Sequence, residues 1–258
     1  YALELGYERA DVFSPCTTLA DLDFFNAVET RLPENTTFHV PLYGVEAAIH
    51  DRVVGRKGAF DRVMVALDRL LSKRGKRSVR ILSVVTTESK DQLVEIAAFA
   101  EARDLGYSAH FAYPSFESRS DRYYTAAPTQ VETAAAILTS RKEFKRSGRP
   151  LPHWYLVEGM SPCVMFEPAR KARLPLRTWL QVPDNVILVG TEYREDRFRH
   201  RSTEAGHAAF DPPTVPCPHV DVCVLSQACP GEFLRAYVER FGIDEFKPVT
   251  LKHLISTL

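Results

Sequence analysis

The chain has 258 residues, enough to bury a substantial core in one large domain or in one domain with an appendage. Lysine plus arginine and aspartate plus glutamate both number 33, so the formal net charge is zero. This balance argues against a nucleic-acid-binding protein, because no excess positive charge is available to replace counterions on phosphates. No apolar run approaches the length of a membrane span, so a membrane protein is not expected.

The first 150 residues alternate between strand and helix patterns. Apolar and β-branched composition predicts strands at 8–14, 37–42, 78–86 and 108–113. Apolar positions at helical spacing predict helices that begin after Thr18, at Gly58, near Ser89 and after Thr129. Strands that alternate with helices of this length favour an α/β fold with parallel strands and right-handed crossovers. In such folds the chemistry lies at the carboxyl ends of the strands.

The two ends of this region carry further expectations. Residues 1–6 have the composition of a last helical turn that stops at Gly6, so we expect the chain to begin in the middle of a larger fold. After residue 150 the chain becomes rich in proline and poor in helical periodicity. There we expect a strand at 186–192, a charged loop at 194–210 and an amphipathic helix at 232–241. The expected domains are therefore 1–150 and 151–258.

The strongest chemical signal is a group of cysteines. Cys217, Cys223 and Cys229 recur at equal intervals and precede a Pro-Gly turn, and Cys163 stands upstream in a Ser-Pro-Cys context. Several thiolates on nearby loops suit Zn²⁺ or an iron–sulfur cluster, and five-residue gaps are wide for a zinc site. The plainer alternative is that these are small buried core residues. His219 is a further candidate ligand, and Cys16 lies far away in the sequence.

A family resemblance rests on two stretches. The segment from His39 to Phe60, with Gly44, the pair His50-Asp51 and Gly58-Ala59-Phe60, resembles the middle of the radical S-adenosylmethionine (SAM) superfamily. The segment Val84-Val85-Thr86-Thr87 with Leu93, and the strand that ends at Tyr113, are similar to the family's next units. The cysteine tail resembles a shortened auxiliary-cluster region of the SPASM or twitch type. The family's Cys-x-x-x-Cys-x-x-Cys motif occurs nowhere in the sequence.

The resemblance implies a partial TIM-like (β/α) barrel, truncated at its N-terminal side, with a C-terminal cysteine-rich extension. It implies an auxiliary 4Fe-4S cluster on Cys163, Cys217, Cys223 and Cys229. The intact enzyme would also hold SAM and a second 4Fe-4S cluster, and we expect this chain alone to be inactive in SAM cleavage. Five strand-end residues would line the SAM and substrate cavity: Tyr43, Gly44, Thr86, Thr87 and Tyr113.

Partners and alternatives remain open from the sequence. The substrate would be a peptide or a small molecule, the electron donor a ferredoxin or flavodoxin, and the compartment the reducing cytoplasm. Thr86 and Thr87 could equally terminate a strand and cap a helix, and His50-Asp51 is typical of a structural turn. A non-enzymatic zinc-stabilised protein could use the same cysteines. A partner-binding module could use the charged segment 194–201, which is more typical of a solvated surface.

Overall fold

The computed structural model describes residues 10–111, 126–148, 156–158, 160–171, 214–226, 229 and 231–255. The chain divides into two compact units. Unit 1 comprises Tyr1–His110 and Thr139–Glu158, and unit 2 comprises Phe111–Leu138 and Gly159–Leu258. The expected boundary after residue 150 stays a prediction.

Unit 1 contains a five-stranded sheet in the sequential order β1-β2-β3-β4-β5. Its strands are β1 (Ala10–Phe13), β2 (Thr36–Pro41), β3 (Val79–Val85), β4 (Gly106–Phe111, whose last residue belongs to unit 2) and β5 (Leu156–Glu158). The pairs β1–β2, β2–β3 and β4–β5 are parallel. The four predicted strands of this region are therefore confirmed, while the described strands show no closure and the barrel stays a prediction.

The helices between these strands follow from local sequence signals. They are α1 (Leu22–Glu29), α2 (Ala47–Val54), α3 (Ala59–Arg74) and α4 (Leu93–Ala102), with short 3-10 turns at Thr17–Ala20, Lys76–Ser78 and Lys90–Gln92. The longest, α3, buries an apolar stripe of Val63, Ala66, Leu67 and Leu70. Its start at Gly58-Ala59 agrees with the prediction.

Two predicted helix starts are wrong. The expected cap Thr18 lies in a 3-10 turn, and the Asp21 carboxylate instead accepts a hydrogen bond of 2.9 Å from the Phe24 amide at the start of α1. The helix expected near Ser89 begins at Leu93, because the intervening residues form the 3-10 turn. Helix α2 was not foreseen.

The remaining described elements are α5 (Gln130–Arg146), α6 (Pro162–Lys171), β6 (Thr214–Pro216), β7 (Glu232–Leu234), α7 (Arg235–Phe241) and α8 (Leu251–Ile255). Helix α5 contributes residues to both units. The predicted cap at Thr129 is confirmed, because Thr129 and Glu132 form reciprocal side chain–backbone hydrogen bonds. The tail helix begins three residues later than expected, because Glu232–Leu234 pairs antiparallel with β6. The expected strand at 186–192 and loop at 194–210 lie outside the described residues.

The core of unit 2 forms where α5, α6, β7 and α7 meet. Its buried residues are Ala134, Leu138, Val164, Met165, Phe233, Tyr237 and Phe246. The Tyr237 hydroxyl accepts a 2.7 Å hydrogen bond from the Gln130 amide and donates to the Glu245 carboxylate. This contact holds the start of α5 against the C-terminal segment.

No helix in the described ranges has both the length and the apolar character that crossing a membrane requires.

Candidate functional site

Four cysteines and one histidine line a single pocket in unit 2. The thiols belong to Cys163, Cys217, Cys223 and Cys229, and the imidazole belongs to His219. All four cysteines are half-buried and form no disulfide. Cys163 therefore lies with the three tail cysteines, although more than fifty residues of sequence separate it from them.

The three tail cysteines lie in the loop of a β-hairpin. Strands β6 and β7 pair antiparallel, and the loop that joins them runs from Cys217 to Gly231. The Cys217 amide donates a 2.8 Å hydrogen bond to the Gly231 carbonyl oxygen and so closes the loop at its base. Gly231 has a φ of +72°, which favours glycine. Gly231 thus lies where the two ends of the cysteine loop meet, and the proline of the predicted Pro-Gly turn lies outside the described residues.

Cys163 comes from a different element. It is the second residue of α6, directly after Pro162, which occupies the first helical position that proline favours. Helix α6 differs from the expectation that the chain after residue 150 is poor in helices. Two signals in the sequence predict α6. One is proline at the helix start, and the other is the group of apolar residues Val164, Met165, Phe166 and Ala169.

Aromatic and aliphatic side chains form the walls of the pocket. Phe233 and Phe246 stack with ring centroids 4.0 Å apart, and both line the pocket together with Leu225. The Lys247 side chain also borders it. No sequence pattern singled out Lys247 as a lining residue. The available signal was its position directly after Phe246. Apolar walls limit the access of water to the thiols.

The electrostatic environment of Cys163 depends on burial and on the other thiols. Burial is the largest cause of a pKa of about 12 for the Cys163 thiol, and Cys229, Cys223 and Cys217 contribute to this rise in that order. The neighbouring sulfurs therefore oppose the formation of a thiolate at Cys163. A bound cation reverses this effect, because metals bind thiolates and their charge stabilises them.

One backbone amide already points at a sulfur. The His219 amide donates a hydrogen bond of 3.4 Å to the Cys217 Sγ. The Cys223 amide bonds the His219 carbonyl oxygen at 3.0 Å, so this part of the loop is a closed turn. Hydrogen bonds to sulfur stabilise its thiolate form and tune the potential of a bound cluster.

The donor atoms of the pocket bear on the kind of metal centre that it could hold. Among the described residues, no group of three or more histidine, cysteine, aspartate or glutamate side chains is arranged to hold a single metal ion. Four thiols around one pocket with apolar walls are a donor set that suits iron–sulfur chemistry. Thiols that line one pocket are therefore candidates for either kind of centre, a zinc ion or a cluster.

The strand-end residues of unit 1 have structural explanations of their own. A Cβ at Gly44 would lie 2.8 Å from Ile49 Cγ2, so the close neighbour of Gly44 in the structure is Ile49. The Thr86 hydroxyl lies 2.9 Å from the Ser89 hydroxyl and accepts a hydrogen bond from the Ser89 amide, which forms a tight turn before α4. Thr87 is exposed and Tyr43 is half-buried. Tyr113 lies outside the described residues.

The pair His50-Asp51 has a structural role, but it lies inside α2 and not in the turn that its sequence indicated. The Asp51 carboxylate accepts hydrogen bonds from the Gly58 and Phe60 amides, at 2.6 and 2.8 Å, and so caps the start of α3. His50 is buried, and its Nδ1 accepts a hydrogen bond of 3.3 Å from the Tyr43 amide. Burial lowers the pKa of His50, which favours the neutral imidazole.

The chain matches no family model, no curated protein and no solved structure.

Proposed function

We propose that this chain is part of a radical SAM enzyme and that its cysteine pocket holds an auxiliary 4Fe-4S cluster. The proposal rests on one observation: Cys163 lines the same pocket as Cys217, Cys223 and Cys229. Cysteines that only pack against the core, as Cys163, Cys217 and Cys223 also do here, need not all meet at one pocket, whereas four ligands of one centre must.

A cluster and a zinc ion require different distances between the four sulfurs. A zinc ion holds each thiolate at about 2.3 Å, so the four sulfurs lie only about 3.8 Å from one another. The described residues contain no group arranged for a single ion. A four-iron cluster binds each thiolate through a different iron, so its cysteines stand farther apart. The four thiols are half-buried and line one pocket, as the ligands of a cluster must.

The sheet of unit 1 supports the barrel part of the proposal. Its five strands follow one another in sequential order, as successive strands of a (β/α) barrel do, and the order does not reverse as it does in a doubly wound sheet. Tyr43, Gly44, Thr86 and Thr87 follow the carboxyl ends of β2 and β3. On this proposal these ends, together with Tyr113, face SAM and the substrate in the intact enzyme.

The iron–sulfur clusters and SAM would supply the radical and redox chemistry of the proposed enzyme. In the intact enzyme a second 4Fe-4S cluster and SAM together generate a 5′-deoxyadenosyl radical, and the auxiliary cluster supplies a further redox centre. The residues of this chain would bind the cluster, keep water away from it and orient the substrate. We propose a peptide or small-molecule substrate, a ferredoxin or flavodoxin as electron donor, and a cytoplasmic location.

Anaerobic reconstitution with iron and sulfide tests the cluster. We expect a brown protein with charge-transfer absorption, and loss of that absorption in Cys163→Ser and Cys223→Ala. The matched control is Cys16→Ala, because the Cys16 thiol is buried beside Ser14 and does not line the pocket. If Cys16→Ala bleaches the protein as strongly as Cys163→Ser does, the pocket is not the cluster site.

Zinc is the alternative that the same samples examine. His219 gives the pocket a mixed sulfur and nitrogen donor set, which zinc accepts. A colourless protein that binds one zinc and takes up no iron would contradict the cluster and leave a zinc-stabilised protein as the function of the pocket.

A further inference from the structure

The four thiols of the cysteine pocket are positioned in two different ways. Cys217, Cys223 and Cys229 belong to one hairpin loop, and backbone hydrogen bonds within that loop hold its shape. Cys163 comes from the start of α6, more than fifty residues earlier in the sequence. The place of Cys163 at the pocket therefore depends on the contacts that hold the first turn of α6 in unit 2.

One side chain holds the entry to α6. The Gln130 Oε1 atom accepts a hydrogen bond of 2.8 Å from the Ser161 amide, two residues before Cys163. Pro162 stands between them, and its ring fixes the backbone angle φ at about −65°. The Ser161 carbonyl oxygen accepts a 3.1 Å hydrogen bond from the Val164 amide, which closes the turn that contains Cys163. Gln130 thus fixes the backbone that carries the Cys163 side chain.

Gln130 is itself held by the C-terminal segment. Its amide donates a 2.7 Å hydrogen bond to the Tyr237 hydroxyl oxygen, and that hydroxyl donates to the Glu245 carboxylate. The other oxygen of this carboxylate accepts a 3.3 Å hydrogen bond from the Val131 amide. Gln130 and Tyr237 are only 5% and 1% exposed, so loss of a partner leaves a buried polar group without a hydrogen bond.

The segment that receives these hydrogen bonds also borders the pocket. Phe246 follows Glu245 directly, lines the pocket and belongs to the same core cluster as Tyr237. The hydrogen bonds that run from Ser161 through Gln130 to this segment therefore join the start of α6 to an aromatic wall of the pocket.

The contact between Gln130 and Ser161 has two possible roles. A half-buried backbone amide needs a partner in any fold, and Gln130 supplies one to Ser161 whether or not the pocket holds a cofactor. A role at the pocket goes further than this contribution to stability. It requires that loss of the Gln130 carbonyl change the number of thiols that the pocket offers.

We propose that Gln130 is the positioning residue for Cys163 and that its side-chain carbonyl keeps this fourth thiol at the pocket. The proposal rests on the function proposed above, in which the pocket holds a four-iron cluster. Such a cluster is held by four thiolates. Hydrogen-bond partners that orient metal ligands commonly contribute about 10–100-fold to metal affinity. Without the Gln130 carbonyl, the pocket offers three thiols in place and one displaced thiol.

Alkylation of the metal-free chain tests the positioning without any cluster. The probe is N-ethylmaleimide, and mass spectrometry of the peptides gives the reaction rate at each cysteine. Gln130→Met keeps the length of the side chain and removes the acceptor, so the half-buried Cys163 thiol should react about tenfold faster. The rates at Cys217 and Cys229 should stay unchanged, because their loop closes on itself.

Anaerobic reconstitution with iron and sulfide then reports the number of ligands. The wild-type chain should hold about four irons per cluster. Gln130→Met and Cys163→Ser should each give a cluster that loses about one iron on mild oxidation and shows the paramagnetic resonance of a three-iron cluster. Gln130→Met added to Cys163→Ser should change nothing further, because it acts through the thiol that is already absent.

Thr133→Val is the matched control. Thr133 is buried in α5, three residues after Gln130, and its hydroxyl donates a 3.0 Å hydrogen bond to the Thr129 carbonyl oxygen. This substitution removes a hydrogen bond from the same helix and leaves the contact with Ser161 in place. Far-UV circular dichroism and urea unfolding check that each variant is folded and how much stability it loses.

The outcomes separate the positioning from the cluster. A wild-type chain that takes up no iron overturns the cluster, whereas the alkylation rates still decide whether Gln130 holds Cys163. A Gln130→Met variant with a wild-type cluster and a wild-type rate at Cys163 overturns the positioning alone. The positioning also falls if Thr133→Val exposes Cys163 and releases iron as strongly as Gln130→Met does, since lost helix stability is then the cause.

Discussion

A buried ion pair in unit 1 offers a sharp test of how the fold is held together. Arg74, the last residue of α3, forms an ion pair with Glu29, the last residue of α1. Only 8% of the Arg74 side chain and 10% of the Glu29 side chain are exposed. The Arg74 guanidinium also donates a 2.8 Å hydrogen bond to the Pro33 carbonyl oxygen and lies over the Phe38 ring. The substitution Glu29→Gln removes the negative charge of this ion pair.

The expected loss follows from burial. Removal of one partner of a buried ion pair costs about 3–5 kcal/mol, because the other charge stays desolvated and loses its counterion. Glutamine keeps the shape of Glu29 and can still accept a hydrogen bond from Arg74, so the lower end applies, about 3 kcal/mol. At about 2–4 °C per kcal/mol for a chain of this size, the melting temperature should fall by about 6–12 °C.

Thermal and urea unfolding followed by far-UV circular dichroism measure this loss. The control is Glu143→Gln in α5, whose ion pair with Arg146 is exposed, with 38% of the Glu143 side chain and 79% of the Arg146 side chain accessible. An exposed pair contributes at most about 1 kcal/mol. Equal effects of the two substitutions would refute the reasoning, because burial would then not decide the strength of the pair.

Three further changes test local features of unit 1. Gly44→Ala should lower the free energy of unfolding by about 1–3 kcal/mol, because the new Cβ would contact Ile49 too closely. Urea unfolding should show that the double substitution Gly44→Ala with Ile49→Ala costs less than the sum of the two single substitutions. Because burial lowers the pKa of His50 below its ordinary 6.5, the unfolded state binds more protons. Stability should therefore be fully present above about pH 6.5 and fall as the pH drops below it, and melting curves of His50→Gln should show a smaller fall. Asp51→Ala should lower the melting temperature through loss of its two hydrogen bonds to backbone amides, whereas Asp61→Ala on the exposed side of α3 should not.

Much of unit 1 could be predicted from the sequence because its signals are local. Alternating burial along β3 and the apolar stripe of α3 follow directly from the side-chain periodicity of strands and helices. Helix starts were harder, since both Thr18 and Asp21 can cap and only the backbone geometry decides between them. The extended pairing of Glu232–Leu234 depends on a partner strand sixteen or more residues away, which local pattern does not reveal.

The grouping of the four cysteines could be predicted from the sequence, whereas the geometry of their pocket could not. The cysteine spacing and the Ser-Pro-Cys context indicated Cys163, Cys217, Cys223 and Cys229 as a group. A helix start and a hairpin loop bring these cysteines to one pocket. Their arrangement depends on the packing of unit 2, to which segments distant in the sequence contribute. The contacts of His39 with Asp11 and Phe13 were not predicted, because the pairing of β1 with β2 is what joins these residues.

Metal analysis of the chain purified without oxygen, from cells supplied with both iron and zinc, tests the central claim most directly. The account predicts about four irons and four sulfides per chain, as a cubane cluster requires, with zinc well below one. It also predicts that Cys163→Ser lowers the iron content and that Cys16→Ala leaves it unchanged. One zinc per chain with no sulfide, unaffected by Cys163→Ser, would contradict the proposed cluster.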